Sequence, residues 1–536
     1  MVKMPDMNRP GSMNKIEAPA PVPLRRLFSE VPFVFSPAEI PAVPITGIAI
    51  DNRNLKPGNL FVAMRGGSAD GHDFIENAIE RGAHAVVCEK EITGLPVPCI
   101  RVQNSRQSLS WLAAAFYDNP GRKLTMIGVT GTDGKTTTCN ILYQILLSAG
   151  FKTGLISTVN AIIGEQVLDT GFHVTTPDAP DVQRYLARMV EAGLTHAVLE
   201  TTSHGWVQYR VDACEFDIGV ITNITHEHLD QHGSYENYRA AKARLFQSLE
   251  KTLPKPQGNP RMAVLNKDDS SYKYLSNQAS GPQVSYGLGS DADIRAETLA
   301  SSPQGTQFEA VGDGFRFPVS SPLVGAFNVS NCLAALAAAL QGLGVAPTAI
   351  ATGIAAMPGI PGRMERIELG QPFTAIVDFA HTPNALRVAL QTLRKMTDKR
   401  LIVIFGSAGL RDKEKRRMMA DVAAQWADIS ILTAEDPRTE SLDEILDEMA
   451  MGARQRGGVE KKTFFRVGDR GDAIRLGVRM AEPGDVVVTC GKGHEQSMCF
   501  GTTEYPWDER VALRAALSEL MQIEGPKMPY LPTQGK

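Results

Sequence analysis

Residues 128–140, GVTGTDGKTTTCN, place a glycine-rich turn between an apolar strand and a helix. The run LTMIGVTG is typical of a buried strand, and KTTTCNILYQILLSAG has the pattern of a helix that ends at Gly150. In such a turn the glycines let backbone amides face phosphate groups, a lysine neutralises charge and a threonine hydroxyl can bind Mg²⁺. The order of strand, turn and helix therefore predicts a site for a nucleoside triphosphate. The spacing departs from the full P-loop pattern at Val129, so a plain glycine turn is the alternative.

Strands and helices alternate on both sides of this turn. A length of 536 residues suggests about three domains. The pattern predicts an α/β fold with a small α/β domain over residues 26–120, a central domain with a P-loop-type, mainly parallel sheet over 121–358, and a Rossmann-like α/β domain over 359–536. The proline-rich residues 1–25 are expected to form a disordered tail.

Composition excludes several classes of function. The net charge is −4, from 55 Lys and Arg against 59 Asp and Glu, so no global basic field exists to hold a nucleic acid. No apolar run is long enough to cross a bilayer, and the seven cysteines are dispersed without a CxxC pair. We therefore expect a cytoplasmic protein that neither inserts into a membrane nor binds nucleic acid.

Further polar residues follow the apolar strands of the central block. Glu200 ends one strand, and His228 lies in NITHEHLDQHG after another. A carboxylate and an imidazole near a threonine of the glycine turn would suit Mg²⁺ or Mn²⁺, while a zinc site and a solvated polar turn are the alternatives. Lys242, in the helical stretch YRAAKARLF, would by itself be an ordinary solvated lysine.

Several motifs occur together in one order along the chain: TGTDGKTTT, ETTSHG, TNITHEHLDQHGSYENYRAAKARLF, GAFNVSNCLAALAA, PGRMERI, VDFAHTPNAL and GSAGLRDKEKR. Over roughly residues 45–515 the chain resembles the Mur ligases, the ATP-dependent amide-forming family of peptidoglycan synthesis. The subfamily that adds the third amino acid, UDP-MurNAc-tripeptide synthetase, fits best, on DNRNLKPGNLFVAMRGGSADGHDFI, EDPRTE and CGKGHE.

The resemblance implies roles for individual residues in nucleotide binding and catalysis. Catalysis would fall to Lys135, Glu200, His228 and Lys242. Mg²⁺ would be held by Thr136, Glu200, His228 and Lys242, the last at the position of a lysine that the family carbamylates. ATP, as a substrate, would contact Gly131, Thr132, Asp133, Gly134, Lys135, Thr136, Thr137, Asn328, Asn331 and His381.

The resemblance also implies where the other two substrates bind. UDP-MurNAc-L-Ala-D-Glu would be held, in an N-terminal UDP-binding domain and beside the ATP site, by Ile50, Asn52, Gly67, Ser68, Ala69, Thr175, Thr176, Thr202, Gln208 and Arg210. The incoming diamino acid would be held in the C-terminal domain by Arg411, Glu435, Asp436, Pro437, Arg438, Gly491 and Glu495.

The implied reaction is amide formation by a monomer. ATP would convert the D-glutamate γ-carboxylate to an acyl phosphate, which the amine of the diamino acid attacks. Arg438 favours meso-diaminopimelate, because a guanidinium pairs with its distal carboxylate. Asp436 stands where the diaminopimelate enzymes carry Asn, so L-lysine or L-ornithine stays possible. Alternatives are a folylpolyglutamate-type ligase, a ligase that recycles murein peptides, and a non-catalytic nucleotide-binding relative.

Overall fold

The structure is a computed structural model of the chain and describes residues 20–36, 39–66, 69–168, 175–225, 232–289, 291–302 and 305–534. The chain folds into two compact units. The first comprises Met1–Ala296, Ala310–Phe317 and Ser330–Ile354, and the second comprises Glu297–Glu309, Pro318–Val329 and Ala355–Lys536. The predicted N-terminal domain and most of the predicted central domain fall in the first unit, while residues 297–309, 318–329 and 355–358 of the central domain fall in the second. The two domains have separate sheets.

The N-terminal sheet has five strands. In spatial order they are Val34–Ser36, Cys99–Val102, Ala85–Cys88, Asn59–Val62 and Gly47–Ala49. All neighbours are parallel except the first pair. The helices of this region are Leu24–Leu27, Ile75–Glu80 and Ser105–Phe116, with short 3₁₀ turns at Asn52–Asn54, Gly71–Phe74 and Pro120–Lys123.

The folded chain begins earlier than the sequence suggested. Val22–Pro23 forms a small antiparallel pair with Pro44–Ile45, and the side chains of Leu24 and Leu27 are fully buried. The disordered tail predicted over residues 1–25 is therefore too long, because Leu24 contributes apolar surface to the N-terminal core. Residues 1–19 lie outside the described part of the chain.

The central sheet is mainly parallel, as predicted. Its first strands, in spatial order, are Gln166–Leu168, Ala161–Ile163, Thr153–Ile156, His196–Glu200, Thr125–Thr130, Ile218–Ile221, Met262–Asn266 and Gln283–Gly287. Every neighbouring pair from Thr153–Ile156 onward is parallel. Three further strands, Ile294–Ser302, Gly305–Gly312 and Phe315–Ser321, follow in the sheet order.

Burial explains the apolar runs of the central strands. All six residues of Thr125–Thr130 and all five of His196–Glu200 are buried, which is typical of strands covered by helices on both faces. The helices that follow are Lys135–Ser148, Ala179–Glu191, Ser203–Val207, Tyr235–Lys251, Tyr272–Ser276, Ala326–Ala337 and Pro347–Ala355, with a π-helical turn at Ala338–Gly342. Parallel strands end at one edge of the sheet, and the polar residues that follow them meet there.

The second unit contains the Rossmann-like sheet expected of the C-terminal domain. Its strands, in spatial order, are Glu365–Arg366, Thr374–Asp378, Val486–Cys490, Leu401–Phe405, Ile429–Leu432 and Phe464–Arg466. All neighbours are parallel except the first pair. The helices are Pro383–Arg394, Glu414–Trp426, Leu442–Gln455, Arg470–Met480 and Glu509–Met521, and a hairpin pairs Ser497–Phe500 with Thr503–Pro506. Among the residues described here, no helix is both long and apolar enough to cross a membrane.

Candidate active site

The glycine turn after strand Thr125–Thr130 requires glycine at two positions. Gly131 has φ +150°, and a Cβ there would lie 1.8 Å from the hydroxyl of Thr222. Gly134 has φ +81°, and its Cβ would lie 2.3 Å from Oδ1 of Asn331. A side chain at either position would therefore displace the turn from the residues that pack against it.

The end of the neighbouring strand holds this turn in place. The amide of Thr132 donates to the Asn223 carbonyl over 2.8 Å, and the amide of Asp133 donates to Asn223 Oδ1 over 2.9 Å. The amide of Thr225 donates to the Thr132 hydroxyl over 3.0 Å. These bonds fix the backbone of the turn before any ligand binds, which is the preorganisation that a phosphate site needs.

The N-terminus of helix Lys135–Ser148 completes the candidate phosphate site. The first helical bond is donated by the amide of Thr138 to the Gly134 carbonyl, so the amides of residues 135–137 precede the helical hydrogen-bond ladder. The Lys135 ammonium lies back over the turn and donates to the Thr132 carbonyl over 2.7 Å. Helical amides and a lysine at one point favour an anionic ligand.

Thr136 and Glu200 are brought together as the sequence predicted. The Thr136 hydroxyl lies 2.9 and 3.1 Å from the two carboxylate oxygens of Glu200. Glu200 is 1% exposed, and the amide of Thr158 donates to its Oε2 over 3.0 Å. A hydroxyl and a carboxylate are hard oxygen donors, which fit Mg²⁺. His228 lies outside the described residues.

Lys242 is not the solvated lysine that its residue pattern alone predicted. Its side chain is buried at 1% exposure, and Nζ donates to the Gly131 carbonyl over 2.5 Å. The ammonium also lies 4.5 Å from the ring centre of Tyr238, one helical turn earlier. Tyr238 in turn places its hydroxyl 3.0 Å from that of Thr132. Helix Tyr235–Lys251 therefore points two polar side chains at the glycine turn.

A second cluster adjoins the first at the backbone of Glu200. The Thr176 hydroxyl donates to the Glu200 carbonyl over 3.2 Å and lies 3.2 Å from the Thr202 hydroxyl. Arg210 donates to the Thr176 carbonyl over 2.6 Å and to Gln208 Oε1 over 3.0 Å. Burial lowers the pKa of Arg210, although Asp178, 3.1 Å away, opposes this effect. The predicted sugar-peptide residues of the central domain thus form one hydrogen-bonded group.

The remaining predicted residues of the first unit are more scattered. Asn52 donates to Asn77 Oδ1 over 2.8 Å, and Ile50 packs against the N-terminal core. Ala69 is exposed, Thr175 is half-buried, and Gly67 and Ser68 lie outside the described residues. The Thr138 hydroxyl donates to Asn331 Oδ1 over 3.4 Å, next to the glycine turn.

The second unit also holds two of the predicted nucleotide residues. Asn328 is buried and donates to the Val324 carbonyl over 2.9 Å. His381 places Nδ1 3.0 Å from the Phe379 carbonyl, and the two rings lie 4.5 Å apart.

The predicted amino-acid residues follow three neighbouring strands of the Rossmann-like sheet. Burial raises the pKa of Glu435 to about 7, and a Cβ at Gly491 would lie 2.0 Å from its Oε2. Asp436 accepts hydrogen bonds from the Lys492 ammonium, 3.1 Å from each carboxylate oxygen. The amide of Gly409 donates to the Asp436 carbonyl over 2.9 Å, which joins this loop to the one carrying the exposed Arg411.

The neighbouring hairpin anchors the rest of this loop. Pro437 is buried, and Arg438 is half-buried with φ +53°. The amide of Arg438 donates to the Cys499 carbonyl over 3.1 Å, and the amide of Gly501 donates to the Arg438 carbonyl over 2.7 Å. Lys492 also pairs with Glu495 over 2.5 Å.

Profiles of known families match all three parts of this architecture. The Mur ligase family catalytic domain matches residues 44–117, the Mur ligase middle domain matches 129–339, and the Mur ligase glutamate ligase domain matches 362–493. A UDP-N-acetylmuramyl-tripeptide synthetase from Roseiflexus sp. (strain RS-1) is 43% identical over 516 residues, covering 92% of this chain and 99% of the relative. The chain belongs to the Mur ligase family.

Two further relatives agree with this Mur ligase assignment. A UDP-N-acetylmuramoyl-L-alanyl-D-glutamate–2,6-diaminopimelate ligase from Geobacillus thermodenitrificans (strain NG80-2) is 39% identical, covering 89% of this chain and 95% of the relative. A solved structure of a UDP-N-acetylmuramoyl-L-alanyl-D-glutamate–2,6-diaminopimelate ligase is 31% identical with a TM-score of 0.65, covering 94% of this chain and 99% of that chain. The α/β fold with three Mur ligase domains is confirmed.

Sequence analysis did not identify several residues of this Mur ligase that hold the predicted site residues in position. Asn223 and Thr158 hold the glycine turn and Glu200, and Tyr238 contacts both Thr132 and Lys242. Lys492 is fully buried between two carboxylates. Of these residues, only Tyr238 could have been found from the sequence, because it lies four residues before Lys242 in a helix and therefore on the same helix face.

Proposed function

We propose that this Mur ligase adds a diamino acid to UDP-MurNAc-L-Ala-D-Glu at the expense of ATP, in the cytoplasm, where ATP and nucleotide-linked precursors are made. The observation that carries the proposal is the cluster of Thr136, Glu200 and Lys242 around the glycine turn. It adjoins the group of Thr176, Thr202 and Arg210, which suits a polar acyl substrate. Relatives named for this reaction span nearly the whole chain.

The first step is activation of a carboxylate. The D-glutamate γ-carboxylate attacks the γ-phosphorus of ATP, ADP leaves, and an acyl phosphate forms. The amides at the start of helix Lys135–Ser148 hold the phosphates, and the Lys135 ammonium offsets their negative charge. Because the glycine turn is already fixed by Asn223, little reorganisation accompanies phosphate binding.

Mg²⁺ fits the donor set beside the turn. Thr136 and Glu200 would hold it, and the ion would supply positive charge against the triphosphate. As an ammonium, Lys242 has no lone pair with which to bind a cation. Carbamylation of Nζ, which we propose on the family's pattern, would turn this buried cation into an anion beside Gly131.

The second step is attack by the amine of the diamino acid on the acyl carbon, with loss of phosphate. The loop Glu435–Arg438 and the segment Gly491–Glu495 would orient that amino acid. No described carboxylate pairs with the Arg438 guanidinium, which suits a distal carboxylate of the substrate. We therefore propose meso-diaminopimelate as the acceptor, with L-lysine or L-ornithine as the second candidate.

The decisive assay is phosphate release from ATP with Mg²⁺ and UDP-MurNAc-L-Ala-D-Glu. Meso-diaminopimelate, L-lysine and L-ornithine are added separately, and the nucleotide product is identified by mass spectrometry. Release that depends on one amino acid, with the matching tripeptide product, supports the proposal and names the acceptor. Absence of release with all three would refute it, provided that the protein binds ATP and is folded.

A further inference from the structure

Lys492 forms a buried ion cluster in the second unit. Its side chain is 0% exposed, and Nζ lies 3.1 Å from both carboxylate oxygens of Asp436. The same ammonium lies 2.5 Å from Glu495, which is less deeply buried. A fully buried lysine is stable only when it is paired, so the two carboxylates account for its charge.

Asp436 has its carboxylate fully engaged within the protein. Besides Lys492, it accepts a hydrogen bond from the amide of Cys499 over 2.9 Å. Its backbone lies in the left-handed region, with φ +41°. The position and orientation of this carboxylate are therefore set by the loop, the hairpin and the lysine together.

The charge on Lys492 persists despite burial. Burial disfavours the ammonium, but Glu495 and Asp436 outweigh it and hold the pKa of Lys492 above its ordinary value. An Asp436 without this partner would place a bare negative charge two residues before Arg438. Such a charge would repel the carboxylate of an incoming amino acid, or would compete for the guanidinium.

We propose that Lys492 is a positioning residue that sets amino-acid specificity: it offsets the negative charge of Asp436, so that Arg438 can receive the distal carboxylate of a diamino dicarboxylic acid. This inference rests on the proposed function. Lys492 acts through Asp436 and does not itself touch the reacting atoms. Lysine and ornithine end in an ammonium where diaminopimelate has its distal carboxylate, so an unpaired Asp436 should not impair their use.

The test compares Lys492→Met, Asp436→Asn and the double variant in amino-acid-dependent phosphate release by the full chain. Lys492→Met should raise KM for meso-diaminopimelate about tenfold or more, with a smaller change in kcat. The KM for L-lysine should change less than that for diaminopimelate. In the Asp436→Asn background, adding Lys492→Met should change the KM for diaminopimelate far less than it does in the wild-type background, because the charge that Lys492 offsets is already gone.

Controls separate specificity from folding. Arg456→Met breaks an exposed ion pair with Asp421 in the same unit and should leave both KM values unchanged. Thermal denaturation checks each variant, and if Lys492→Met does not fold, Lys492→Gln takes its place in the same comparison. A Lys492→Met effect on the KM for diaminopimelate that is equally large in the wild-type and Asp436→Asn backgrounds would overturn the inference.

The outcomes also distinguish the inference from the function on which it rests. A wild-type protein without amino-acid-dependent release would refute both. A wild-type protein that uses diaminopimelate, with an unchanged diaminopimelate-to-lysine ratio in Lys492→Met, would overturn only the role of Lys492. A wild-type preference for L-lysine or L-ornithine would also overturn that role while leaving the ligase activity intact.

Discussion

The hydroxyl of Thr136 lies 2.9 Å from one carboxylate oxygen of Glu200 and 3.1 Å from the other. Thr136 is in the first turn of a helix, and Glu200 is the last residue of the strand beside the one that precedes that helix. The two residues are 64 positions apart in the chain, and the parallel register joins them. This pair links the glycine turn to the predicted sugar-peptide residues, because the Glu200 carbonyl accepts from Thr176.

Removing the charge of Glu200 should weaken metal-dependent catalysis. Glu200→Gln keeps the shape and a hydrogen-bond acceptor but not the negative charge that Mg²⁺ needs, so activity should fall by about 10- to 100-fold. Thr136→Ser keeps the hydroxyl and should retain most activity. The measurement is phosphate release over a range of Mg²⁺ concentrations. An unchanged Mg²⁺ dependence in Glu200→Gln would remove this carboxylate from the metal site.

Gly134→Ala should impair nucleotide binding more than backbone strain alone predicts. An alanine at φ +81° costs about 1–2 kcal/mol in the left-handed region, and its Cβ would also meet Asn331 at 2.3 Å. Gly150→Ala is the matched control, because Gly150 has φ +82° with no atom within 4 Å of a Cβ. We expect a raised KM for ATP only in Gly134→Ala. Equal KM values in the two variants would show that the contact with Asn331 is unimportant.

The sequence predicted the strand, turn and helix around Gly131 because that signal is local. The pairing of Thr136 with Glu200 could also be predicted, since parallel strands end at one edge of the sheet. The burial of Lys242 could not be predicted without the family resemblance, because a lone helical lysine is ordinarily solvated. Lys492 and Asn223 were missed for a related reason: each acts through a tertiary contact that leaves no periodic pattern in the chain.

Lys242 should be required for activity, and an arginine at this position should not replace it. Lys242→Arg keeps a positive charge near Gly131 but cannot be carbamylated in the same way, and Lys242→Met removes the charge. If carbamylation supplies a metal ligand, both variants should lose at least about tenfold in activity. Addition of ¹³C-bicarbonate should give a carbamate signal in the wild-type protein alone. Full activity in Lys242→Met would exclude the proposed metal-ligand role.

The stability of the second unit should depend on pH through Glu435. Burial raises its folded-state pKa to about 7, above the unfolded value of about 4.3. The folded state therefore binds more protons between these values, so stability falls as pH rises from about 4.3 to 7, and the loss persists above that range. Glu435→Gln should remove this dependence, which amounts to about 4 kcal/mol over the full pKa shift. Denaturant unfolding of both proteins at about pH 5 and about pH 8, on either side of the folded-state pKa of Glu435, tests this. The gap in favour of the variant should be larger at the higher pH, and a gap that does not change with pH would contradict the prediction.

Arg438 should contribute to amino-acid affinity and not to ATP use. Its backbone is fixed on both sides by the hairpin at Cys499 and Gly501, so truncation of the side chain should leave the loop in place. Arg438→Ala should raise KM for meso-diaminopimelate at least about tenfold, because a charged hydrogen-bonded pair is lost. Arg438→Lys should recover little of that loss, since an ammonium cannot bind a carboxylate with the two parallel hydrogen bonds of a guanidinium.

The KM for ATP is the internal control for the Arg438 variants and should not change. If KM for the amino acid also stays constant in Arg438→Ala, the distal carboxylate is recognised elsewhere, and the choice of diaminopimelate over lysine does not depend on this arginine.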